Sequence, residues 1–290
     1  MNYILKNDDL TVTLSDLGAE MISVRRGTCE YVWQGDATYW KGQAPLLFPI
    51  CGRLIESSYL YNEKKYELSI HGFARNSVFR VARADETEIV FVLESSEATR
   101  AVYPFDFVLN VIYRLEGARL VTEAHIRNTG NTVMPASFGG HPGFNVPLNG
   151  EGSFEDYYLE FSEPCSPDEV EMTPACFLTG RRKPIPLTDG KILPLRHSLF
   201  DIDAIFMARM ASGVTLKSAK TERSVTLHYP DMPYLGIWHK PRTDAPYICI
   251  EPWCGLPDYD GAPADIMQKS DMFRICPNAE KKVSFSVTFG

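Results

Sequence analysis

Four short segments of the chain set isolated polar residues inside apolar, glycine- and proline-rich surroundings. "SFGGHPGFNVPL" (Ser137–Leu148) carries His141 and Asn145, and "SIHGFARNSVF" (Ser69–Phe79) carries His71 and Arg75. "APLLFPICGRL" (Ala44–Leu54) carries Arg53, and "YICIEPWCG" carries Glu251 at the end of an apolar run. Glycine allows close approach to the backbone, and proline fixes φ and biases the preceding residue towards an extended conformation. A histidine held between glycines and a proline therefore sits on a shaped, extended support. Glu251, flanked by "ICI" and "PW", must find hydrogen-bond partners or shift its pKa.

These residue types restrict the chemistry. No HxH or HExxH spacing and no His/Cys cluster suggests a metal site, so no metal is expected. No Gly-x-Ser-x-Gly elbow marks a serine hydrolase. Glycoside hydrolysis needs two placed carboxylates, and only Glu251 is a strong candidate, with Asp203 a distant second. General acid–base work by a Glu/His pair remains. From ordinary values of about 4.3 and about 6.5, a modest upward shift of each would leave a carboxylate base beside an imidazolium acid. His125, His197, His228 and His239 lie in ordinary strand or turn contexts and are expected to be structural or at the surface.

The elements that must position these residues are strands. "EIVFVLES" places Ile89, Phe91 and Leu93 on one face, and "FVLNVIYRLEG" and "RLVTEAHIRN" around an "EGA" turn form a hairpin pattern. "KKVSFSVTF" alternates Val283, Phe285 and Val287 with Lys282, Ser284, Ser286 and Thr288, and "SVTLHY" and "YICIEPW" add two more strands. Only "DATYWKG" (Asp36–Gly42) and "PADIMQKSDMF" (Pro263–Phe273) have room for short helices. With no linker, repeat or compositional break, the expectation is one all-β domain over residues 1–290, built of packed antiparallel sheets.

Composition excludes further classes. The net charge of -8 and the lack of a basic run argue against nucleic acid, and "GRRKPIPL" (Gly180–Leu187) reads as an exposed loop. No window approaches a membrane span, and the N-terminus lacks the pattern of a signal peptide. Seven scattered cysteines without a CxxC pair fit reduced thiols in a cytoplasmic protein.

Taken in order, "YWKGQAPLLFPICGRL", "HGFAR", "GGHPGFNVPL", "DAIF" and "APYICIEPWCG" resemble the aldose 1-epimerase (galactose mutarotase) family, nearest to its LacX-like branch. The resemblance runs from about Ala19 to the final strand. It implies a β-supersandwich of large antiparallel sheets and interconversion of the α and β anomers of a free aldose, with no cofactor. It also implies Glu251 as the base, His141 as the acid, and His71, Asp203, Arg53 and Arg75 as sugar-binding residues, with Asp201 the weaker choice beside Asp203. Phe144, Trp238 and Trp253 are the expected apolar platform, and glycines beside His141 are expected to let the sugar approach the backbone. Two alternatives stay open: a hexose-6-phosphate 1-epimerase using Arg53 and Arg75, and a non-catalytic carbohydrate-binding protein on the same scaffold.

Overall fold

The computed structural model describes residues 1–290. Two large antiparallel sheets dominate it, one of nine strands and one of eight, with a four-stranded sheet formed by the first 30 residues and two short ribbons beside them. The hairpin read from sequence is present: Phe107–Glu116 pairs with Arg119–Asn128, and Gly117 (φ 58°) turns the tight loop between them. Ile89, Phe91 and Leu93 are buried as the period-two pattern requires.

The last strand, Glu280–Phe289, lies inside the nine-stranded sheet between Arg119–Asn128 and Val225–His228. Val283, Phe285, Val287 and Phe289 are buried, but so is Ser286, because this strand has neighbours on both edges.

The strand that matters for chemistry is Tyr247–Trp253, central in the eight-stranded sheet and buried at every position. Its alternation splits it between two environments. Ile248 and Ile250 join the 65-residue core that fills the space towards the nine-stranded sheet. Cys249 and Trp253 belong to two smaller clusters on the opposite face, and Glu251 shares that face by parity.

Helix is nearly absent, though not where expected. Asp36–Gly42 forms only turns, and Pro263–Phe273 contains one 3-10 turn, Ile266–Gln268. The one α-helix is Glu97–Val102, started by a reciprocal capping box between Ser96 and Thr99. "GRRKPIPL" is not a loop throughout: Leu178–Pro184 is an edge strand of the eight-stranded sheet, paired to Asp168–Met172. No helix is long and apolar enough to cross a membrane. All seven cysteines are unpaired.

Candidate active site

Strand register brings the site together. Gly139 pairs with Trp253 and Gly143 with Cys249, while the Ile250 N–H donates to the Pro142 carbonyl at 3.1 Å. Continuing both pairings inward puts His141 across from Glu251, and opposed residues of an antiparallel pair share a face. His141 Nε2 lies 3.3 Å from Glu251 Oε2, with the residues 9% and 1% exposed.

The glycines around His141 make room for rings, not for a ligand. A Cβ on Gly139 would stand 2.8 Å from Trp253 Cδ1, on Gly143 3.0 Å from Trp40 Cζ3, and on Gly140 2.8 Å from Phe285 Cζ. This corrects the expectation that they clear a path for sugar. Trp40 stacks on His141 (centroids 5.0 Å, 30°), and Trp238 meets the same ring edge-on at 5.8 Å.

His71 is locked by a two-way exchange with Gly52. Its N–H donates to the Gly52 carbonyl at 2.8 Å, and its Nδ1 accepts from the Gly52 N–H at 3.1 Å. That acceptance leaves the neutral ring's proton on Nε2. His71 has φ 65° and is followed by Gly72 at φ 72°, where a Cβ would strike the Phe48 carbonyl at 2.2 Å. A histidine held in the left-handed region costs free energy that the surrounding bonds must offset.

These side chains line an open cleft of about 850 Å³, together with Arg53, Arg75, Asp203, Trp238 and Trp253. Asp203 accepts from its neighbour's N–H, Ala204, at 2.8 Å and from the Cys176 thiol at 2.9 Å. Asp201 is exposed and does not line the cleft. Arg53 and Arg75 make no side-chain hydrogen bond and no ion pair. Three buried polar atoms at the cleft also lack partners: His141 Nδ1, Glu251 Oε1 and Trp253 Nε1. Unpaired buried polar groups are costly, so a ligand rich in hydroxyls has groups waiting for it.

Two expected residues fall elsewhere. Asn145 donates its side-chain amide to the carbonyls of Glu30 (2.9 Å) and Val32 (3.1 Å), tying strands together outside the cleft. Phe144 is fully buried in the sandwich core. Conversely, Trp40, Cys176, Phe206 and Lys183 line the cleft without having been singled out from sequence. A second cavity, about 240 Å³ beside Leu54 and Tyr59, contains no histidine, and its Lys269 is neutralised by Asp258 (3.5 Å) and Asp271 (3.1 Å).

The electrostatics differ from the expected upward shift of both partners. Burial, reinforced by Asp203, raises Glu251 well above the usual carboxylate range. Burial, with a smaller contribution from Arg75, lowers His141 to about 3. Burial likewise lowers His71, helped by His141, Arg75 and Arg53. Desolvation penalises each charged form. Both shifts favour the uncharged form of each partner.

Comparisons with known proteins bear on the family and the fold. Residues 1–260 match the family model described as aldose 1-epimerase. The chain is 34% identical over 297 aligned residues to the plasmid-encoded protein LacX of Lactococcus lactis subsp. lactis, covering 99% of each. A galactose mutarotase related enzyme from Lactobacillus acidophilus superposes with a TM-score of 0.95 at 35% identity, over 100% of this chain and 97% of the other. A galactose mutarotase-like protein from Lactobacillus casei ATCC 334 gives 0.93 at 33% identity, with both chains fully covered. A β-sandwich of large antiparallel sheets, a Glu/His-floored cleft and a match over most of the chain lead to one conclusion: this protein belongs to the aldose 1-epimerase family of isomerases.

Proposed function

We propose that the protein interconverts the α and β anomers of a free aldose by general acid–base catalysis. Sugar hydroxyls that hydrogen-bond the charged forms move the Glu251 proton to His141; Glu251 then takes the proton of the C1 hydroxyl while His141 delivers one to the ring oxygen. The bond between C1 and the ring oxygen breaks, the aldehyde rotates about C1–C2, and reclosure reverses both transfers. The observation that carries this reading is the 3.3 Å approach of a buried carboxylate and a buried imidazole on the cleft floor. The pair ends each cycle with the proton count it started with, so no co-reactant is required. His71, donating from Nε2, and Asp203, accepting through its carboxylate, bind the sugar, and Trp238 and Trp253 support its C–H faces.

The test is polarimetry or saturation-transfer NMR of the anomeric protons, with freshly dissolved α-glucose or α-galactose. Glu251→Gln and His141→Ala are expected to lower kcat by about 10²–10⁴-fold, the usual worth of a general acid or base, while the melting transition persists. Either variant keeping near-normal kcat overturns the assignment. Sugar-induced thermal stabilisation without faster equilibration would instead favour a carbohydrate-binding protein.

One observation favours a second reading. Arg53 and Arg75 line the cleft without a carboxylate partner. Arginine binds phosphate in a bidentate fashion, so a phosphorylated aldose would satisfy both. Acceleration confined to glucose 6-phosphate, with KM raised by Arg53→Gln or Arg75→Gln, would select it.

A further inference from the structure

Cys249 enters no step above, yet it faces the reacting groups. Alternation along Tyr247–Trp253 sends its side chain to the same face as Glu251, and its pairing with Gly143 sets it beside His141. Donor atoms of His141, Cys249 and Glu251 all lie within 4.8 Å of one another. The thiol makes no hydrogen bond, and His141 Nδ1 and Glu251 Oε1 are buried without partners. Three donor side chains of different softness thus converge under the cleft, and two of them keep a buried atom without a partner.

The donor set selects the cation. A thiolate, an imidazole and a carboxylate are a mixed soft and borderline set, suited to zinc-like ions and poorly matched to magnesium or calcium. With bonds of about 2.0–2.3 Å, a tetrahedral ion needs its donors about 3.3–3.8 Å apart, so closing the site asks for roughly 1 Å of side-chain movement. Protein supplies three ligands, and two of them, His141 and Glu251, line the cleft from which water would complete the set.

We propose that His141, Cys249 and Glu251 form a binding site for a thiophilic divalent cation of the zinc class, and that its occupancy excludes sugar chemistry. Binding takes Cys249 as thiolate, Glu251 as carboxylate and His141 as neutral imidazole, so every proton on those donor atoms leaves to solvent and the metal takes the lone pairs freed. With both proton-transfer groups committed to the ion, a bound sugar meets neither a base nor an acid. The exclusion rests on the epimerase reading, whereas the binding itself does not.

Cobalt(II) is the probe, titrated into the full-length reduced protein. The expected result is one ion per chain, with a near-ultraviolet thiolate-to-cobalt charge-transfer band and visible bands of four-coordinate intensity, all displaced by zinc. Cys249→Ser and Cys249→Ala should abolish the charge-transfer band and weaken binding by at least about 100-fold, since the loss of even an outer-shell partner costs 10–100-fold. Both should retain metal-free mutarotation, and zinc should lower kcat of the parent but spare these variants. No thiolate band, or a band unchanged in the Cys249 variants, overturns the site; a band without zinc inhibition overturns the exclusion of sugar chemistry. Should neither Cys249 variant fold, His141→Gln decides: retention of the full spectrum overturns the proposal. Absence of mutarotation with every sugar would defeat the epimerase reading and leave the cobalt titration fully interpretable.

Discussion

His141 Nδ1 has no hydrogen-bond partner, so beyond the 3.3 Å approach of Nε2 to Glu251 the imidazole is aimed by its aromatic neighbours. Trp40 lies over one face, Trp238 meets the ring edge-on, and His71 approaches at 5.7 Å and 84°. Aromatic contacts of this kind are worth about 0.5–1.5 kcal/mol each, so Trp40→Ala should lower kcat by roughly 2–10-fold through a poorly oriented imidazole. Trp40→Phe should recover most of that loss. Steady-state kinetics separating kcat from KM checks it, and a change confined to KM would reduce Trp40 to a sugar platform. Gly143 guards the same arrangement from the other side. A methyl there would meet Trp40 Cζ3 at 3.0 Å, the Gln43 carbonyl at 3.2 Å and Trp33 Cβ at 3.3 Å. None is the free end of a flexible chain, so Gly143→Ala should destabilise the protein by about 1–3 kcal/mol, as overpacking does, and lower activity by displacing Trp40. A melting temperature equal to the parent's would show that the site can give.

At the scale of elements, the segment that carries Asp203 is held by a relay of imidazoles. His239 Nδ1–H donates to the Lys240 carbonyl at 2.8 Å, so its Nε2 accepts from His197 Nδ1 at 3.1 Å. Phe154 stacks on His197 at 4.1 Å, and Phe200 packs against His239 at 4.3 Å. Burial, aided by His197 and opposed by Lys240 and Asp201, lowers His239 from its ordinary 6.5 to about 4. As pH falls, the unfolded chain takes up this proton first, and a proton on Nε2 would face that of His197. The stability His239 contributes is thus complete above about pH 6.5 and is lost progressively towards pH 4. Melting temperature should fall across that window. His239→Gln should make the fall shallower without flattening it, since His71 and His141 are shifted in the same direction. Identical pH slopes in parent and variant would refute the relay's part. This relay was invisible in the sequence, where His197 and His239 sit 42 positions apart in unremarkable contexts. His141, His71 and Glu251 were visible because each interrupts an apolar run beside glycine or proline. Asn145 shares a motif with His141 and, by parity, its face of the sheet, but it lies four residues along, tied to the Glu30 and Val32 carbonyls outside the cleft; Trp40 and Cys249 become neighbours of His141 only through a register that no local pattern encodes.

Across the whole molecule, the two ends of the chain carry unequal loads. Asn2–Lys6 is an edge strand, paired only with Thr11–Ser15, and it buries one residue, Leu5. Glu280–Phe289 instead joins two halves of the nine-stranded sheet and buries Val283, Phe285, Val287 and Phe289. The terminus is also tied to the first sheet: the Phe289 carbonyl accepts from Arg26 at 3.0 Å, and the Gly290 carbonyl accepts from the Tyr31 hydroxyl. Burying a large apolar side chain is worth about 1.5–3 kcal/mol, so four of them amount to roughly 6–12 kcal/mol. That range matches the whole stability of an ordinary domain, about 5–15 kcal/mol. A chain ending at Ala279 should therefore lack a cooperative transition by circular dichroism, although every proposed catalytic residue lies before that point. Removing residues 1–6 forfeits one buried leucine and should leave a folded protein that melts at a lower temperature. Cooperative melting of the 1–279 chain would mean that the catalytic sheet folds without its partner. The sandwich would then be two separable layers, and the cleft, built wholly on the eight-stranded side, would not depend on the sheet behind it.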